Sequence, residues 1–137
     1  MTASNRLATI LGASVFSAIL FIQVPADAHD GDAATEAATA AQHAMLAAQA
    51  DSLEGVHAHL QHAINCLVGP DGEEFDAEQI NPCDGMGDGA IADSADDETA
   101  KRLEEALEHA REGLDADDLD AARAHAGAAA DLLEKKG

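Results

Sequence analysis

Tryptophan and tyrosine are absent from the 137 residues, and phenylalanine occurs three times. Two of those rings, Phe16 and Phe21, fall in an N-terminal apolar run, which leaves Phe75 as the only aromatic ring downstream. With so little ring packing to offer, and no C-x-x-C-H attachment sequence, the chain is not expected to hold haem. Cations are scarce too: 7 Lys and Arg stand against 27 Asp and Glu, a formal net charge of −20. Phosphates would be repelled, so nucleic acid and anionic lipid are disfavoured as partners. Such a surface suits cationic ligands, or a salty medium that screens its self-repulsion. No Val, Ile or aromatic run alternates at period two, which argues against strands. No nucleophile stands out with a base beside it, so no catalytic residue is assigned and the chain is read as a binding protein, not an enzyme.

What is present begins at the N-terminus. Arg6 precedes the apolar run Leu7 to Val24, LATILGASVFSAILFIQV, and Pro25-Ala26-Asp27-Ala28 follows. A charged start, an apolar middle and an A-x-A site together predict a signal peptide over residues 1–28, removed on export. The rival reading is an uncleaved anchor, because about 18 apolar residues approach spanning length. Cleavage would leave residues 29–137 as one small domain, periplasmic or secreted, with no membrane attachment.

Only two cysteines occur, Cys66 and Cys83. In an exported chain they are expected to pair as a disulfide; the alternative makes Cys66 a thiolate ligand beside His62. They bracket part of a segment rich in turn formers, with Pro70, Asp71-Gly72, Asn81-Pro82 and Asp84-Gly85, which reads as a loop over residues 69–97. A loop of that length is uncommon unless functional or tied down, and the bridge would tie it.

The flanking regions are Ala-rich, with Leu and Glu at helical spacing, and they are related to each other. Setting His43 over His109 aligns Ala44 with Ala110, Ala50-Asp51-Ser52-Leu53-Glu54 with Ala116-Asp117-Asp118-Leu119-Asp120, and Ala58-His59 with Ala124-His125. An internal duplication is the simplest account. Each half reads as a helical hairpin, 33–68 and 98–135. In the second, Leu103, Leu107, Ala110 and Leu114 repeat at helical steps, Gly113 can end the first helix and Asp115 or Asp117 can cap the next. Pairing about the turns sets His43 near His59 and His109 near His125. The expected fold is all-α, an up-down four-helix bundle of two duplicated hairpins with a long disulfide-tied loop between them. One competing arrangement runs residues 33–68 as a single long helix with a heptad seam, against which Gly55 and the repeated turn sequence speak.

Seven histidines remain to be explained. Neutral imidazole is a common metal ligand and suits copper, nickel and zinc. His59 and His62 are three residues apart and share a helical face, whereas His57 and His59 do not. With His43 from the facing helix they form a candidate three-nitrogen cluster. His109 and His125 form a second pair, with Glu105, Glu108, Glu112 and Asp118 available for oxygen ligation. After cleavage His29 would be the first residue, and its α-amine and imidazole together could chelate a copper ion. The candidate ligands are therefore His29, His43, His57, His59, His62, His109 and His125.

LEEALEHAREG, from Leu103 to Gly113, followed by Ala121-Ala122-Arg123-Ala124-His125-Ala126, resembles the repeat of the small metal-binding protein family. Ala41-Gln42-His43-Ala44 and Leu60-Gln61-His62-Ala63 are similar to the same unit. The resemblance spans residues 35–68 and 99–134, and implies a periplasmic helical bundle that binds divalent metals, copper prominent among them. This chain has fewer histidines than such proteins usually carry, and its cysteine-bearing loop has no counterpart there.

That loop contains DGMGDGAI, which puts Asp84 and Asp88 at positions 1 and 5 of an EF-hand-like loop, Gly89 at 6 and Ile91 at 8. Met86 and Ala95 occupy positions 3 and 12, where oxygen ligands belong, so any calcium site would be weak unless Asp93 or Asp96 substitutes. The functional expectation is a divalent transition-metal buffer, copper first and nickel or zinc next. The alternative is a metal-free, disulfide-tied structural or interaction module whose 69–97 loop contacts a protein partner.

Overall fold

A computed structural model describes residues 31–135; the expected signal peptide and His29 lie outside them. Four helices account for the regular structure among these residues: α1 (Ala33–Gln49), α2 (Leu53–Val68), α3 (Asp97–Asp115) and α4 (Leu119–Glu134). Each begins at a side-chain cap. Asp32 accepts from the Thr35 N–H at 3.0 Å, Ser52 from Gly55 at 3.1 Å, Asp96 from Thr99 at 2.8 Å and Asp118 from Ala121 at 2.8 Å. Every cap satisfies one of the amides a helix start leaves unpaired.

The long-helix alternative for residues 33–68 is ruled out at Ala50. Its backbone turns extended, its N–H folds back to the Ala47 carbonyl, and Ser52 opens a new helix. The equivalent break in the second half falls at Ala116, and the cap is Asp118 rather than the expected Asp115 or Asp117: Asp115 is the last residue of α3, and it is Asp118 that stands three residues before the amide it accepts from. Gly113 therefore does not end a helix as its sequence context suggests. It lies inside α3, buried against α2, where a Cβ would come within 2.5 Å of Leu60 Cδ1.

Helix α1 packs against α2 and α4, and α3 against α4 and α2, so every adjacent pair is antiparallel and the bundle runs up-down-up-down. Leu60, Ile64, Leu67, Leu103, Leu107 and Leu133 supply the large buried side chains, and twelve of the 21 buried apolar residues are alanine. Small side chains permit close helix approach, and α2 and α4 touch across the diagonal. No helix among the described residues is long and apolar enough to cross a membrane.

The segment between α2 and α3 is irregular but firmly attached. Cys66 and Cys83 form a disulfide. Asn65, fully buried, donates through Nδ2 to the carbonyls of Asp76 and Ile80 at 3.0 and 3.2 Å and accepts from the Asp76 N–H at 3.0 Å. Arg111 on α3 grips Glu74 through two nitrogens. Helix α2 stops at Gly69, whose φ of 68° is a conformation glycine adopts without strain. The loop then crosses the open end of the hairpin, where the Asp32 N–H donates to the Met86 carbonyl at 3.3 Å.

Two candidate metal centres

The turn at Ala50–Ser52 sets the register of α1 on α2, and that register places His43 opposite His59. One helical turn along α2, His62 joins them. The three ring centroids lie 5.7 Å (His43–His59), 5.1 Å (His43–His62) and 5.7 Å (His59–His62) apart. Ligand nitrogens of all three residues lie within 4.8 Å of one another. For imidazoles bound to one ion at about 2.0–2.1 Å, ring centres in trigonal or tetrahedral array would sit roughly 5.2–5.6 Å apart. The rings are thus spaced as ligands of a common ion would be. Nδ1 of each of the three is buried without a hydrogen-bond partner. An unsatisfied buried nitrogen is costly, and a metal would relieve it.

Burial, and secondarily the neighbouring rings, holds His43 and His62 below the ordinary imidazole pKa. Both therefore favour the neutral, ligating form. His62 is buried at 8% exposure.

In the second hairpin the duplicated positions form the duplicated pair. His109 on α3 and His125 on α4 have ring centroids 5.9 Å apart. Glu112, one turn beyond His109, puts Oε2 at 3.2 Å from His109 Nδ1 and 3.0 Å from His125 Nδ1. These three also have donor atoms within 4.8 Å of one another. This site is more open, with side-chain exposures of 38% for His109, 36% for His125 and 47% for Glu112.

The duplication thus accounts for two ligands per site and not for the third. The counterpart of His62 in the second half is Ala128, and that of Glu112 in the first half is the exposed Leu46. One site completes itself from α2 with nitrogen, the other from α3 with oxygen.

The remaining candidates divide as follows. His57 is half-buried on α2, its Nε2 enclosed and unpartnered, and it joins neither group. Cys66 is bridged and so is not a thiolate ligand in this structure. Of the acids near His109, Glu108 is engaged by Arg111 at 3.0 Å, Asp118 caps α4, and of the other two Glu112, not Glu105, has an oxygen grouped with the two histidines. Asp84 is exposed, and Asp84, Asp88 and Asp93 do not come together as a three-ligand group among the described residues. Asp93 instead accepts from the Asp88 N–H at 2.8 Å and faces Glu36.

Glu36 carries no sequence signal beyond its place in the first turn of α1, yet it is 1% exposed and its Oε2 has no partner. Burial first, then the charges of Asp93 and Asp88, pushes its carboxyl up to about 7, while the Gly89 N–H offsets part of that rise. No protein-family model, curated protein or solved structure matches this chain.

Proposed function

We propose that the chain is an exported protein that binds and buffers divalent transition metal ions, one in each hairpin, without catalysing a reaction. The observation that carries the reading is the repetition of one His pair across two hairpins, each pair supplied with a third donor within 4.8 Å. Isolated surface histidines would not recur at both positions and also find a third ligand at each. Copper(II) stands first, since it heads the affinity order for nitrogen and oxygen sites; nickel and zinc follow. The disulfide fits an oxidising compartment outside the cytoplasm, periplasmic or secreted. In this role the imidazoles capture the ion, Glu112 adds charge at the second site, and protons compete with the metal for the imidazole nitrogens as pH falls.

Native mass spectrometry of the purified protein, titrated with Cu(II), Ni(II) and Zn(II), tests this. Two discrete ions are expected on the wild type and none on a variant with His43, His59, His109 and His125 all changed to Ala. If the wild type collects only the loose adducts of any acidic protein, metal handling is wrong. The loop, which carries Ile80 at 67% exposure, then becomes the place to seek a protein partner.

A further inference from the structure

The two centres differ in charge, burial and donor type, and those differences act in one direction. The donors of the α1–α2 centre are three imidazoles, partly enclosed, and no carboxylate is grouped with them. The α3–α4 centre contains a carboxylate and opens to solvent. Removing an ion from water costs in proportion to the square of its charge, so a dication loses about four times the hydration of a monocation of equal size. A carboxylate at a given distance repays a dication about twice as well as a monocation. Enclosure without a countercharge therefore shifts preference toward a monocation, and exposure with a carboxylate shifts it toward a dication. Donor softness agrees: carboxylate oxygen is a hard ligand, while imidazole accepts copper in either state.

We infer that the hairpins are specialised by oxidation state: His43, His59 and His62 form a centre that holds Cu(I) as well as Cu(II), while His109, Glu112 and His125 hold divalent ions only. This rests on the metal-binding reading above and adds to it the selectivity of each centre. His62 and Glu112, the two ligands outside the duplicated pattern, are the residues that determine it. No electron transfer by the protein is involved, since each ion is bound in the state in which it arrives. Three imidazoles at ring separations of 5.1–5.7 Å also match the low coordination number that a monovalent copper accepts.

The test is an anaerobic titration of the full protein with Cu(I), added as its acetonitrile complex against a chromophoric Cu(I) chelator, beside an aerobic titration with Cu(II). The wild type should retain one Cu(I) and two Cu(II). Changing His62 to Ala should weaken the Cu(I) site at least tenfold, leaving the α3–α4 Cu(II) site as it was. Glu112→His, on the exposed site where folding is not at stake, should create a second Cu(I) site. Retention of Cu(I) equally at both wild-type centres, or at neither, overturns the specialisation while two bound Cu(II) leave the metal-binding reading standing. Failure of Glu112→His to gain a Cu(I) overturns the role given to the third ligand. Absence of discrete Cu(II) binding counts instead against the metal-binding reading itself.

Discussion

Burying an acid beside other acids costs free energy, and at Glu36 that cost depends on pH. The unfolded carboxyl titrates near 4.5 and the folded one near 7, so the folded protein holds the proton more tightly. The stability associated with that proton is fully present below pH 4.5 and is lost progressively as pH rises toward 7. Glu36→Gln, which mimics the protonated form, should match the wild type at pH 4 and exceed it at pH 8. The expected gain is at least about 1 kcal/mol, or ~4–8 °C in Tm, and thermal melts across that range check it. The histidines give a second contrast. His57→Ala should leave the bound-metal count unchanged, whereas His59→Ala should remove the α1–α2 ion, both read by native mass spectrometry. His57 is among the candidate ligands read from the sequence, but a two-residue step from His59 puts it on another helical face, and it joins neither group. Singling out Glu112 from four nearby acids was beyond sequence spacing, because Arg111 engages Glu108, a helix start takes Asp118, and only the packing of α3 on α4 sets Glu112 rather than Glu105 beside both rings.

Among the helices, the caps and the turn register position everything else. Ser52 and Asp118 occupy duplicated positions and make the same bond to the third amide onward. Replacing Asp118 with Ala should cost about 0.5–2 kcal/mol, seen as a lower urea midpoint with an unchanged slope. Gly113 is the more instructive case. Alanine would gain up to about 1 kcal/mol of helix propensity in the middle of α3. Its Cβ would meet Leu60 Cδ1 at 2.5 Å in a packed interior, and overpacking of that kind costs about 1–3 kcal/mol. Gly113→Ala should therefore destabilise. A cycle with Leu60→Ala should show strong coupling, the double variant losing less than the two single losses combined. From the sequence this glycine looks like a stop signal, because a helix end and a helix crossing ask for the same residue. Only the neighbouring helix decides which.

For the molecule as a whole, an alanine-rich interior buries modest area per helix, and the bridge and the loop compensate. The Cys66–Cys83 disulfide spans 17 residues, and closing a loop of that size in the unfolded chain contributes about 3 kcal/mol. Reduction should lower the denaturation midpoint by a matching amount, and hydrogen exchange should show amides near Cys83 opening sooner than that of Asp76, which Asn65 and the Arg111–Glu74 pair still hold. Metal should act in the opposite direction: at a hundredfold excess over Kd, one bound ion adds about 2.7 kcal/mol, visible as a rise in Tm that a chelator reverses.

Helices, the duplication and the pairing of His43 with His59 and His109 with His125 follow from the sequence alone, because each depends on residues a few positions apart or on the length of one turn. The tertiary structure decided the rest. It buried Glu36 against the loop, turned Gly113 into a contact for Leu60, and brought Glu112 to within 3.2 Å of both His109 and His125. These outcomes depend on which side chains from distant segments compete for the same space or charge, and local periodicity carries no record of that competition.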